Sequence, residues 1–364
     1  MTPAPSRLEL GLRQLRGAAT RLTTPLLPDD YLSMLNQLWT ARELRGQIVS
    51  VIPEADSAAT LVIKPGWGWH FAHRPGQYLG IGVAVDGRFH WRSYSLTSVP
   101  TRDRDHVSIT VKAMPEGLLS THLVQGVRPG AIVRLAPPRG EFVLPDPPPG
   151  KLLFVTGGSG ITPVIAMLRT MDERGTLPDV VLAHSAPAAE AMLFRAELHD
   201  LRRRHPRFHL HEQFTRRDGQ LSLRFDLDQL CPDWRDRQSW VCGPTTMLRE
   251  AAQVWAAEGL AESLHLERFS ADLAGGEAQG GTVHFTASGR SAVVDGATTL
   301  MQAGERAGIP MPFGCRMGIC HTCVVPLRSG RVRDLRDGTE HDGGHQKMVQ
   351  TCITAAAGDC SLDL

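Results

Sequence analysis

The sequence is short of several things. None of its apolar runs approaches the roughly 18 residues of a membrane-crossing helix, and its first residues show no apolar core followed by a small-residue cleavage site. Net charge is nearly absent: 39 Lys and Arg stand against 38 Asp and Glu, leaving +1. Nothing here suits a nucleic-acid partner, which draws on a strong basic field. Cysteine is sparse, seven in 364 residues. With no secretory signal, these few cysteines read as reduced thiols doing metal or redox work rather than as a disulfide frame. The expected location is the cytoplasm.

The length exceeds what one hydrophobic core usually supports, so two or three domains are expected. Two composition breaks read as linkers: the Pro-rich run Pro145 to Gly150 and the small, polar run Ala274 to Gly281. They suggest a helical leader over 1–44, a domain over 45–148, a second over 149–270, a linker over 271–281 and a third domain over 282–364. In the first domain QIVSV, ATLVI, YLGIGV and VSITV alternate between turn residues, as in a small antiparallel β-barrel. In the second, the apolar strands LLFVT, VVLAH and SWVC alternate with helical stretches, which predicts an α/β doubly wound parallel sheet. The last domain reads as a small α+β unit with a helix near Thr299 to Ala307.

Four of the cysteines carry the sharpest signal. Cys315, Cys320 and Cys323 are separated by four and then two residues, and Cys352 follows after 28 more. This is the C-x4-C-x2-C…C spacing of plant-type [2Fe–2S] ferredoxins, in which soft, anionic thiolates hold iron. A zinc ribbon would show two C-x2-C knuckles, and only Cys320 and Cys323 make one. Gly318, between the ligands, permits a backbone that turns amides toward the cluster sulfurs. The segment resembles plant-type ferredoxins, with a β-grasp fold implied. Cys231 and Cys360 lack any ligand spacing and read as small buried hydrophobes.

Further motifs precede it. RSYSLTS runs from Arg92 to Ser98 and GLLS from Gly117 to Ser120. A guanidinium can fork onto a phosphate and a hydroxyl can reach a ring nitrogen. The strand LLFVT leads into GGSGITP, Gly157 to Pro163, where glycines would let a pyrophosphate approach backbone amides at a helix start. Thr162 is the expected N-cap and Pro163 the expected first helical residue. VCGPTTM puts Cys242 at another strand-to-helix junction, and such strand ends are where these sheets bind ligands.

In this order the motifs resemble the ferredoxin–NADP reductase superfamily, in the branch with a C-terminal ferredoxin domain. The resemblance implies a flavin-binding barrel, an NAD(P)-binding domain and a [2Fe–2S] domain. It assigns Arg92 to the flavin pyrophosphate, Tyr94 to the isoalloxazine face, Ser95 to flavin N5, and Gly117 with Ser120 to a second phosphate segment. Gly158, Gly160 and Thr162 would face the dinucleotide. Cys242 would sit near the nicotinamide, and Glu267 and Phe269 of HLERF match the family's E-x-F ending, in which the aromatic covers the flavin face. Thr215 and Arg216 stand where relatives that use NADP carry a Ser-Arg pair on the 2′-phosphate, which favours NADPH and leaves NADH open. FAD is favoured over FMN.

The leader carries Leu8, Leu12, Leu15, Ala19 and Leu22 at helical spacing, with four arginines against one glutamate up to Thr24. Such a helix suits an anionic membrane surface or packing against protein. The segment from Leu22 to Trp39 resembles the leaders of actinobacterial reductases that feed membrane di-iron fatty acyl desaturases and alkane hydroxylases. That implies a membrane-bound acceptor and a peripheral contact at the inner membrane face. A reductase for a ring-hydroxylating dioxygenase would share every cofactor motif, and a non-catalytic flavin and iron–sulfur redox sensor is the reading from another class.

Overall fold

The computed structural model describes residues 28–55, 57–85, 88–100, 105–114, 118–269, 280–296, 298–313, 318, 321–335, 338–344 and 347–364. The leader stripe from Leu8 to Leu22 lies outside them, as do Gly117, Cys315 and Cys320.

The first unit holds β1 (Arg45–Ala55), β2 (Ala58–Pro65), β3 (Tyr78–Val85), β4 (Arg88–Ser95), β5 (Val107–Lys112) and β6 (Ile132–Leu135), in the order β4-β3-β6-β1-β2-β5. Every neighbouring pair is antiparallel. The two outer strands meet through a bridge between Leu96 and Ile109, with Thr97 N–H donating to Ser108 O at 2.8 Å, so the sheet closes on itself as the expected barrel. Closure removes the sheet's open edges. Ile48, Leu61, Ile63, Leu79, Ile81, Leu96 and Ile109 fill its interior.

Strands β4 and β6 were not legible in the sequence. The β4 segment RFHWRSYS is mostly polar, because much of it faces a cavity rather than a core.

Residues after helix Pro28–Leu35 are tied to the barrel. Leu38 O accepts from Trp67 N–H at 2.9 Å and Leu44 O from Leu135 N–H at 2.7 Å, and the buried Asp29 carboxylate accepts from Ala41 N–H at 2.9 Å. Any truncation that spares the barrel therefore stops before Pro28. Among the described residues no helix is long and apolar enough to cross a membrane.

The second unit is a parallel sheet of β7 (Lys151–Gly157), β8 (Asp179–Ala186), β9 (Phe208–Phe214), β10 (Gln238–Cys242) and β11 (Leu264–Glu267), ordered β11-β10-β7-β8-β9. Strand alternation sends Leu152 and Phe154 to one face, against helices Ile161–Glu173 and Arg195–Arg204. Leu153 and Val155 go to the other, against helices Leu223–Leu230 and Thr245–Ala257. Burial on both faces explains the continuous apolar strands, and the doubly wound reading holds. Phe142 and Leu144, from the barrel's last segment, belong to this second core. Arg169 of helix Ile161–Glu173 donates to barrel Thr97 O at 2.6 Å while gripping Glu197.

The third unit has β12 (Gly281–Phe285), β13 (Arg290–Val294), β14 (Val324–Asp334), β15 (Glu340–Asp342), β16 (Met348–Gln350) and β17 (Thr354–Leu362). Their order is β13-β12-β17-β14-β15, with β12 and β17 parallel and β16 paired to β14. Helix Leu300–Arg306 starts at a capping box between Thr299 and Gln302. Composition placed Gly281 in the linker, but it opens β12 opposite Val294, in contact so close with Gly358 that no side chain would fit.

Candidate flavin and nucleotide cavity and thiol pair

A cavity of about 930 Å³ lies between the barrel and the C-terminal edge of the parallel sheet. Barrel strand β4 contributes Arg92, Tyr94 and Ser95, and helix Leu118–Thr121 contributes Ser120. From the sheet edge come Gly158, Gly160, Thr162 and Thr215, and Glu267 and Phe269 close it where the second domain ends. Motifs spread over 178 residue positions thus meet in one place.

Burial pushes the Tyr94 phenol up to about 12, against a smaller opposing effect of Arg92, so the hydroxyl stays neutral. Ser95 is buried, and Ser120 Oγ accepts from Met114 N–H at 3.1 Å. Gly160 is required by close approach: a Cβ there would stand 2.1 Å from Cys242 O.

Two expectations about the glycine turn need correction. Thr162 is not the N-cap, because a 3-10 turn over Gly158–Gly160 starts the helix early and makes Gly160 the capping residue. Thr162 Oγ1 instead donates back to Ser159 O at 2.9 Å. Pro163 falls third in the helix, still within the first turn where its missing N–H costs no bond.

Two candidates do not line the cavity. Cys242 is fully buried, since alternation along β10 turns it with Trp240 toward the core under helix Ile161–Glu173, and burial raises its thiol well above its ordinary value. Gly243 and Pro244 line the cavity in its place. Arg216 is exposed on the turn beside Thr215, with its N–H on Pro187 O at 3.1 Å. Its neighbour Arg217 is engaged with Asp218 at 2.6 Å, whereas Arg216 makes no ion pair among the described residues.

Sequence reasoning missed Glu250, which lines the cavity from helix Thr245–Ala257. Its Oε1 accepts from Ser222 Oγ at 2.7 Å and Arg224 N–H at 3.1 Å, so it caps helix Leu223–Leu230 from outside. Partners 26 and 28 residues away leave no local signature.

Burial pushes the Glu267 carboxyl up from 4.5 to about 7. A raised folded-state value means the folded protein holds a proton that the unfolded chain releases, so this group's contribution to stability declines as pH climbs from about 4.5 to about 7. Glu267→Gln should flatten the dependence of melting temperature on pH across that window and be the more stable protein at pH 8. Parallel curves for parent and variant would show that Glu267 is not held protonated.

In the third unit Cys323 and Cys352 bring their sulfurs to 3.2 Å, too far for a disulfide bond. Gly318, at φ +74°, points its N–H at Cys352 Sγ at 3.3 Å, and Gln350 Nε2 donates to Gly318 O at 3.2 Å. Thr351 Oγ1 braces Cys323 O at 3.0 Å. Buried converging thiols with an amide aimed at one sulfur fit an iron–sulfur cluster.

Residues 69–144 match the family model of the oxidoreductase FAD-binding domain, 154–253 that of the oxidoreductase NAD-binding domain, and 283–357 that of the 2Fe-2S iron-sulfur cluster binding domain. A relative called NADPH oxidoreductase, from Mycobacterium tuberculosis, is 56% identical over 356 residues, 97% of this chain and 93% of the relative. The chain belongs to the ferredoxin-reductase family, in the branch with a C-terminal [2Fe–2S] domain. The reductase is also 29% identical to the glycine betaine monooxygenase reductase subunit of Pseudomonas aeruginosa, over 90% of this chain and 97% of that one. The solved phthalate dioxygenase reductase shares its fold, with TM-score 0.58, 22% identity and coverage of 88% and 98% of the two chains. The reductase is an NAD(P)H oxidoreductase whose cofactors are FAD and a [2Fe–2S] cluster.

Proposed function

We propose that the reductase draws electrons from NADPH and delivers them, through FAD and its own cluster, to an oxygen-dependent di-iron enzyme, above all a membrane fatty acyl desaturase. The observation that carries the reading is one cavity joining the Arg92–Ser95 strand to the glycine turn of the nucleotide domain, on a chain that also holds a buried thiol pair.

The chemistry supplied by the bound cofactors is hydride acceptance by the flavin and single-electron carriage by the cluster. The protein's part is placement. Arg92 holds the flavin pyrophosphate, Tyr94 lies against the ring system, Ser95 hydrogen-bonds at N5, and Gly117 with Ser120 forms the second phosphate segment. Gly158, Gly160 and Thr162 receive the nicotinamide half of the dinucleotide, and Thr215 and Arg216 the 2′-phosphate. Phe269 would cover the flavin face where the nicotinamide is to enter. Glu267 borders the nicotinamide, with Cys242 packed behind. Cys315, Cys320, Cys323 and Cys352 hold the cluster. NADPH over NADH is supported by the lone Arg216 and by the name of the Mycobacterium tuberculosis relative.

An oxygenase-class acceptor is supported by relatives named as monooxygenase reductase subunits. The same names keep alive a second reading, an alkane hydroxylase or ring-hydroxylating dioxygenase as acceptor. A redox sensor has no use for a nicotinamide cavity. The leader, basic and apolar by turns, favours the membrane acceptor and a cytoplasmic protein with peripheral contact at the inner face.

Deleting residues 1–24 should leave NADPH-to-cytochrome c turnover within about twofold of the parent, since the described bonds that fasten this segment to the barrel run from Asp29, Leu38 and Leu44 and are all kept. Electron delivery to a desaturase in membranes should fall severalfold. Added salt should weaken the parent's delivery if the leader meets anionic lipid, because a few arginines are screened within a Debye length of about 8–10 Å. Full desaturation by the truncated protein would remove the leader from acceptor recognition.

A further inference from the structure

Ser185 is the next-to-last residue of β8. Alternation places it on the face of Val181 and Ala183, toward helices Leu223–Leu230 and Thr245–Ala257. Its neighbour His184 takes the opposite face and is bonded to Thr156 Oγ1 at 2.7 Å. Ser185 is among the residues that line the cavity, yet it is only 7% exposed. Its hydroxyl has no hydrogen-bond partner among the described residues. An unmet buried hydroxyl leaves the cost of its desolvation uncompensated, and native proteins retain few of them. Alanine would fill the position without that cost.

The sheet register says what the hydroxyl can meet. Ser185 is paired with Gly157 on one side and Gln213 on the other, strands standing about 4.8 Å apart. Gly157 opens the glycine turn and Gln213 lies two residues before Thr215. A dinucleotide with its nicotinamide half at that turn and its adenosine end at Thr215 and Arg216 must pass over the end of β8. We infer that Ser185 is a dinucleotide-binding residue whose hydroxyl hydrogen-bonds an oxygen of the ribose–diphosphate middle of NAD(P)H. This rests on the placement of NAD(P)H proposed above. A turn about χ1 brings Oγ from its walled-in position to the ligand, and binding supplies the missing partner. The 2′-phosphate lies beyond this contact, so NADPH and NADH share it.

The test compares FAD- and cluster-loaded parent and Ser185→Ala, with Ser185→Gly as a second small replacement. Titration calorimetry with NADP+ and NAD+ should show binding of both weakened by the same factor, roughly five- to tenfold. KM should rise alike for NADPH and NADH with kcat unchanged. The melting temperature without nucleotide should hold or rise, and the gain on adding NADP+ should shrink. Unchanged affinities, or a lower melting temperature without nucleotide alongside unchanged affinities, would overturn the inference and make Ser185 a packing residue. Weakened binding of NADP+ alone would overturn its placement at the middle of the dinucleotide. Arg216→Ala run in parallel separates the two claims: if it weakens NADPH and NADH equally, the 2′-phosphate placement fails whatever Ser185 does.

Discussion

Cys352→Ser should cut NADPH-driven reduction of cytochrome c by about 100-fold or more, while ferricyanide reduction stays within about twofold of the parent. Serine offers a hard, protonated oxygen where the cluster needs a soft thiolate, and even partners outside the ligand shell typically cost 10–100-fold in metal affinity. Among the described residues, no cysteine outside the proposed ligand set is placed to substitute for Cys352. Its sulfur is the one that receives the Gly318 N–H, whereas Cys360 lies on β17, paired with Val283 of β12 and Gly330 of β14. The flavin domain should not notice the change, because the third unit packs around its own core of Val283, Phe285, Leu300 and Leu327. Loss of both activities in a folded, FAD-loaded variant would show that flavin reduction depends on the cluster domain.

Arg216→Ala should raise KM for NADPH by about 10- to 100-fold and leave KM for NADH nearly unchanged. A charge-assisted contact to a phosphate is worth about 1.5–3 kcal/mol, which is that factor in affinity. The neighbouring cation cannot take over, since Arg217 is held by both oxygens of Asp218 and lies over the Phe214 ring. Equal effects on the two nucleotides would reduce Arg216 to a surface charge.

The parts of this molecule visible in its sequence are those encoded by short-range spacing. The pair Cys323 and Cys352, the glycine turn after LLFVT and the buried strands β7, β8 and β10 each repeat a local rule, and the structure brings the two thiols together and places the turn and the strands where the spacing puts them. What escaped depends on a tertiary neighbour. Strand β4 reads as polar because much of it faces a cavity that exists only once the two domains meet. Cys242 sits at the right strand end, but a one-residue alternation turns its side chain into the core. Glu250 acts through partners on another element, and nothing within a turn of it announces them. The Thr162 cap failed for a local reason, since the 3-10 turn at Gly158–Gly160 moved the helix start two residues earlier.

The measurement closest to the central claim is an anaerobic titration of the purified protein with NADPH, followed by absorbance and paired with iron and sulfide analysis. Uptake of about three electrons per chain, two on the flavin and one on a cluster of about two irons, is the expected result. Uptake of only two electrons by a protein that contains zinc and no acid-labile sulfide would contradict it.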